Sequence, residues 1–270
     1  MDCTRGEGQW LLVGADVKDK PIRLQKYLAE RGIGSRRNCE QFIAEGLVQV
    51  DGVMVSEPGT VVVPGRSRVM FRDRLVPVSA EPVRTVILYK PRGYECTKSG
   101  SARRTVYDLV RDIPESVMSA GRLDKSSEGL LVMTNDGQLA YELTHPSFEH
   151  EKEYRVTVSG NVDAQALACL KESVMIDGRR TVPAEVMFES SGSKEGRTIL
   201  RFVLREGRNR QIRRICEGAG IRIHILVRTR IGPVSLRRLK VGEWRELSED
   251  EVRSLRHSPV ATSKDRGKIG

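Results

Sequence analysis

The run GLLVMT (129–134), then Asn135-Asp136-Gly137, then QLAYELTH (138–145), most constrains what this chain can fold into. The first piece is a continuous apolar run of strand length. The three residues after it form a turn or cap that opens a helix. A strand that passes directly into a helix commits the chain to a fold in which both must share one core. Flanking segments carry the same message. TVILYK (85–90) is a strand that ends at the turn Pro91-Arg92-Gly93, and TVYDLV (105–110) is a short helix. EYRVTVSG (153–160) alternates, and so does IRIHILV (221–227), where Ile221, Ile223, Ile225 and Val227 share a face. Ser248 and Glu251 form a capping-box pair for a last helix. Strands and helices interleave without a strict βαβ rhythm. The expected architecture over 85–255 is therefore α+β: a mixed, mostly antiparallel sheet flanked by helices.

A smaller module precedes it, over 21–78. Leu24, Tyr27 and Leu28 recur at helical spacing, and Gly32 and Gly34 mark the end. Ser35 caps a second helix with Cys39, Phe42 and Ile43 on its apolar face. LVQVDGVMV (47–55) reads as a hairpin around Asp51-Gly52, and VVVPGRSRVMF (61–71) continues the strands. Arg36 and Arg37 stand at the start of the second helix, where cations oppose the helix dipole. A phosphate at that helix end would be held by free N–H groups and both guanidiniums. The alternative is two exposed arginines with no ligand. SAEPVR (79–84) is a linker, 1–20 a loose extension and 256–270 a flexible tail.

Charge narrows the partner. The chain carries +10, and residues 201–240 hold twelve Arg and Lys against Glu206 and Glu217, a local balance that is also +10. A basic surface concentrated in this way points to a polyanion, with nucleic acid foremost. Cys3, Cys39, Cys96, Cys169 and Cys216 lie far apart with no CxxC spacing, which implies reduced thiols in a cytoplasm. His145 and His150 are too isolated to suggest a metal site. WLLVG (10–14) is too short for a signal-peptide core, and no membrane span is expected.

Chemistry centres on GRLDKSSEGLLVMTNDG (121–137). Asp124 stands between Arg122 and Lys125, ahead of the apolar run and after Gly121, which permits a sharp turn. In EGRNRQIRRICEGAG (206–220), a helix beginning near Arg208 places Ile212, Ile215 and Cys216 on one stripe and Arg210, Arg213 and Arg214 on another. The cationic stripe is either an exposed phosphate-binding face or the source of one arginine that holds a carboxylate in a bidentate pair. In HEKEYRVTV (150–158), Tyr154 is either a packed strand tyrosine or a stacking surface for an extruded base.

In this order, YKPRGY (89–94), the GRLD segment, HEKEYRVTV, LREGRNRQIRRICEGAG, RTRIGPVSL and GEWREL resemble the RsuA/RluB/RluE/RluF family of ribosomal RNA pseudouridine synthases. IRLQKYLAERGIGSRRNCEQFIAEGLVQVDG resembles an S4 RNA-binding domain. HEKEY, GRNRQIRRICE and GEWREL are most similar to members acting on large-subunit (23S) RNA, especially the RluF type. The resemblance implies Asp124 as catalytic carboxylate, Tyr154 stacked on the target base, and Arg213 paired with the aspartate. Arg122, Arg210, Arg36 and Arg37 would be further RNA contacts. It implies a cytoplasmic monomer that needs no cofactor or metal, because the isomerisation breaks N1–C1′ and forms C5–C1′ with no group lost. Asp124 would act as a nucleophile at the ribose or the ring, or as a base at the sugar. The rival reading is a non-catalytic ribosome-assembly factor. It accounts for the charge and the S4 module, but not for Asp124, Tyr154 and Arg213 occurring together.

Overall fold

A computed structural model of the chain describes residues 20–98, 103–160, 162–192 and 196–256. The expected extension (1–20) and tail (256–270) lie outside these residues except for Lys20 and Arg256. The chain divides into two compact units between Pro82 and Val83.

The first unit runs β1 (Ile22–Arg23), α1 (Leu24–Ala29), α2 (Arg36–Ala44), β2 (Val48–Val50), β3 (Val53–Val55), β4 (Val61–Val62), β5 (Val69–Phe71) and β6 (Arg74–Leu75). Its apolar positions explain its helices. Leu24, Tyr27, Leu28 and Cys39 are fully buried in one cluster that also takes Ile43. Ser35 Oγ accepts the Asn38 N–H at 3.2 Å, which caps α2 as expected. Asp51 and Gly52 both take positive φ, 52° and 86°, so β2 turns tightly into β3. The strands pair antiparallel in the order β3-β2-β5-β6, and β1 pairs with β4.

The second unit runs β7 (Thr85–Lys90), β8 (Met118–Ser119), β9 (Glu128–Thr134), α3 (Gly137–Thr144), β10 (Lys152–Ser159), α4 (Ala164–Lys171), β11 (Met175–Ile176) and β12 (Arg179–Arg180). It continues with β13 (Glu185–Gly192), β14 (Arg197–Leu204), α5 (Gln211–Gly218), β15 (Ile223–Ile231), β16 (Val234–Ser235), β17 (Trp244–Glu246) and α6 (Glu249–Arg256). The main sheet has nine strands in the order β13-β14-β10-β15-β9-β7-β17, with β16 beside β15 and β8 beside β9. Every pairing in it is antiparallel except β15 with β9. The sheet is thus mixed and mostly antiparallel, as expected.

The unbroken run that opened the reading is β9. Leu130 and Val132 pack toward α3 and α6, while Leu131 and Met133 pack on the opposite side with Val106, Val110 and Ile113. Both faces are covered, so no alternation survives in its sequence. Asp136 caps α3 by accepting the N–H groups of Gln138 and Leu139 at 2.9 and 3.0 Å. Ser248 and Glu251 exchange the two bonds of a capping box.

Three local expectations need correction. TVYDLV holds a single 3-10 turn, Val106–Leu109, closed by its own capping box from Thr105 and Asp108. The stripe Ile221, Ile223, Ile225, Val227 does not stay in phase: Ile225 is exposed and Leu226 is buried. The β10–β15 ladder shifts register between Thr157 and Val158, and the extra residue moves the inward side of β15 to the even positions. Finally, α5 begins at Gln211 rather than near Arg208. Arg208 instead bonds Glu206 and the carbonyls of Ile176, Arg179 and Arg180, which holds the preceding turn outside the helix.

Candidate active site

Asp124 lies on the loop that leads into β9, beside the one parallel pairing of the sheet among the described residues, where Arg228 on β15 meets Gly129 on β9. Gly121 begins this loop with φ 81°, the sharp turn its sequence called for. The loop is held from three sides. Lys90, fully buried at the end of β7, donates its ammonium hydrogens to the carbonyls of Pro91, Asp124 and Ser127 at 3.0, 3.1 and 2.7 Å. The Gly93 N–H donates to the Lys125 carbonyl at 2.7 Å, which ties the Pro-Arg-Gly turn to the same loop. Cys96 Sγ lies 3.5 Å from both the N and the O of Leu123. Burial pulls the Lys90 ammonium below the ordinary lysine range, opposed by nearby acids including Asp124.

The Asp124 side chain is one-third exposed, at 33 %. Its Oδ2 lies 3.8 Å from both Arg210 Nη1 and Arg213 Nε. This is not the bidentate fork expected of Arg213. The Arg213 Nη2 bonds the Ser126 carbonyl and Ser127 Oγ at 3.1 and 3.2 Å, so part of its fork is committed to the loop backbone. Its Nε is buried with no hydrogen-bond partner and faces the carboxylate just beyond bonding distance. Burial and the charge of Arg210 lower the Arg213 pKa from its ordinary value, and Asp124 works against both.

The cationic stripe also separates. Arg210 precedes α5 in a left-handed conformation (φ 52°) and reaches toward Asp124 while its side chain stays half exposed. Arg214 turns the other way and pairs with Asp177 at 3.0 Å. Ile212, Ile215 and Cys216 are buried as expected and fix the orientation of the helix.

Asp124, Arg210, Arg213, Arg122 and Tyr154 all line one cavity of about 600 Å³. Its size falls in the range of ligand sites, roughly 300–1,000 Å³. Arg122 is exposed. Tyr154, on β10, is 9 % exposed and joins the core beside Phe202, its register partner on β14, so it both packs and borders the cavity. Arg36 and Arg37 belong to the other unit, exposed in the first turn of α2.

The sequence reading assigned no role to four further residues here. Lys90 is the anchor just described. Arg92 lies in the Pro-Arg-Gly turn and borders the outer side of Asp124 with Arg210. Lys152 and Arg228 line the cavity beside Tyr154. Lys90 carried a faint signal, a cation closing an otherwise apolar strand; the other three carried none.

Comparison with known proteins agrees with this geometry. The family model described as RNA pseudouridylate synthase matches residues 84–218, and the S4 domain model matches 22–66. The chain is 37 % identical to ribosomal large subunit pseudouridine synthase B of Bacillus subtilis, over 87 % of this chain and 95 % of the relative. It is 36 % identical to the dual-specificity RNA pseudouridine synthase RluF of Escherichia coli, over 88 % and 80 % of the two chains. A crystal structure of a pseudouridylate synthase is similar with a TM-score of 0.60 and 28 % identity, covering 87 % of this chain and 99 % of the other. A matched catalytic domain, a matched S4 module and relatives of this identity over nearly their whole length lead to one conclusion: the chain belongs to the RNA pseudouridylate synthase family, as a pseudouridine synthase that carries an S4 domain ahead of its catalytic domain.

Proposed function

We propose that this synthase isomerises a uridine of large-subunit (23S) ribosomal RNA, with Asp124 as the catalytic carboxylate and Tyr154 as the surface on which the flipped base stacks. The observation that carries the reading is the state of Asp124. It is a partly exposed carboxylate on a cavity wall, with two guanidiniums at 3.8 Å and its own backbone tied down by a buried lysine. A carboxylate held this way keeps its orientation toward a base that enters the cavity. Arg210 and Arg213 orient it, Arg122 meets RNA at the mouth, and Arg36 and Arg37 hold phosphates on the S4 unit. The choice of ribosomal RNA rests on the relatives, one named for the large subunit and one for RNA with dual specificity. Their identities, 37 % and 36 %, do not set the RluF type apart from the other.

Isomerisation expels the C5 proton, which gives a direct assay. Unmodified large-subunit RNA transcript with tritium at C5 of every uridine should release tritium to water when mixed with the enzyme. Asp124→Asn, which removes the charge without changing size, should bind the same transcript and release none. Release at the normal rate by the Asn variant would remove Asp124 from the chemistry.

A further inference from the structure

Beside Tyr154 the cavity holds two cations that no step above uses. Arg228 is 4 % exposed; its Nε donates to the Leu130 carbonyl at 2.7 Å, and its Nη2 is buried with no partner. Lys152 Nζ donates to the His150 carbonyl at 3.0 Å, one bond for a group that can make three. Among the described residues neither forms an ion pair, whereas Arg205, Arg208, Arg214 and Arg230 of the same basic segment all do. Burial, and then the charge of Arg228, bring the Lys152 ammonium down to about 8. A buried, unpaired guanidinium N–H beside a half-buried ammonium is costly unless something anionic joins them.

The strands bring these groups to one spot. Lys152 and Tyr154 are two residues apart on β10 and so project to one face, and Arg228 is the register partner of Tyr154 on β15. All three line the cavity that Asp124 borders. The approach is built in at Gly129: a Cβ there would lie 2.3 Å from the Arg228 carbonyl oxygen, so β15 reaches β9 only because that residue is glycine. A ring lying on Tyr154 therefore presents its edge to both cations.

We propose that Lys152 and Arg228 bind the carbonyl oxygens of the target uracil and stabilise the negative charge that collects there while the ring is detached from C1′. This rests on the function proposed above. If Asp124 acts at the ribose, the N1–C1′ electron pair stays on the leaving ring and spreads to its carbonyl oxygens. If it attacks the ring at C6, the displaced π pair moves to O4. In both routes the pair returns to carbon when C5 bonds C1′. Asp124 is freed, displaced from C1′ by C5 in the first or expelled from C6 as the C5 proton leaves in the second, and N1 takes up a proton in exchange for the one lost from C5. Cations poised at such oxygens act on the transition state more than on bound uridine. A backbone phosphate would present the same oxygen chemistry. However, an extruded base enters the depth of a cavity, and Arg228 lies at that depth.

The test uses the full chain and the C5-tritiated transcript, with enzyme in excess so that one turnover is followed. Lys152→Met and Arg228→Lys should release tritium at least about 100-fold more slowly when saturated, with RNA Kd within about threefold of normal. Arg228 also has a structural bond, so Lys152→Met, with a melting temperature no lower than normal at the assay pH, is the decisive variant. A saturated rate for it within threefold of normal would overturn the proposal. So would a normal saturated rate with weakened binding and a flatter salt dependence, the signature of a phosphate contact. Wild-type enzyme that releases no tritium would overturn the proposed function and this inference with it, whereas release by wild type and variants alike overturns this inference alone.

Discussion

Lys90→Met isolates the contribution of the anchor under Asp124. Methionine matches the lysine stem in length and volume, so the cavity left behind is small and the change is mainly electrostatic. Three charge-assisted bonds disappear, to the carbonyls of Pro91, Asp124 and Ser127. Each is worth about 1.5–3 kcal/mol net. Against this, the variant no longer holds a fully buried ammonium out of water, which returns several kcal/mol. The remainder is a loss of roughly 2–4 kcal/mol. For a unit of this size, melting should fall by roughly 5–15 °C. Below the new melting temperature, RNA binding should persist while single-turnover tritium release drops about 100-fold, because the backbone that aims Asp124 has lost its tether. Lys90→Arg should not rescue, since a planar fork cannot serve three carbonyls that converge on one nitrogen. A folded Lys90→Met enzyme with a normal rate would refute the reasoning. So would a melting temperature that does not move.

Arg213→Lys keeps a cation but loses the Nη2 bonds to Ser126 and Ser127, so the rate should fall about tenfold or more with a normal melting temperature; an unchanged rate would mean that Arg213 supplies only positive potential. Arg36→Gln with Arg37→Gln should weaken RNA binding and flatten its logarithmic salt slope by about 1.5, with the saturated rate kept; an unaltered slope would leave the pair as plain surface. Lys152 gives a pH signature. Its folded pKa, about 8, lies below the ordinary 10.5, so the unfolded chain binds more protons between those values and stability should rise with pH across that window. Urea unfolding at pH 7 and pH 10 should show that Lys152→Met lacks roughly 2–3 kcal/mol of this rise; equal rises in both proteins would contradict the depressed pKa.

Much of the fold was legible because its apolar pattern is set by burial. The α1 positions Leu24, Tyr27 and Leu28 all reach the core, and the continuous run of β9 is apolar because helices cover one face and the 105–117 segment the other. Ser35 and the Ser248–Glu251 pair declared their helix ends through side-chain chemistry. What failed depended on tertiary partners. The phase of β15 is set by a bulge against β10, and nothing in IRIHILV itself marks it. The late start of α5 follows from carbonyls some thirty residues upstream that capture Arg208.

The candidate site divides along the same line. Asp124 stood out because an acid after a glycine, ahead of a buried strand, is a local pattern. Its supports are not local: Lys90 is 34 residues away and Arg213 87 from the loop carbonyl it holds. Charge counting named the class of partner, RNA, but not where the charge acts. The excess of 201–240 looked like one basic surface, yet Arg205 and Arg230 share Glu151, Arg214 takes Asp177, and Arg228 is buried. Acids from elsewhere in the chain pair with several of these arginines, Arg201, Arg222, Arg237 and Arg238 stay on the surface, and Arg228 alone is buried against the cavity. An exposed basic face would bind any RNA, but a few cations kept unpaired in a cavity can act on one extruded base. The sorting of those arginines, more than their number, therefore separates binding RNA from changing it.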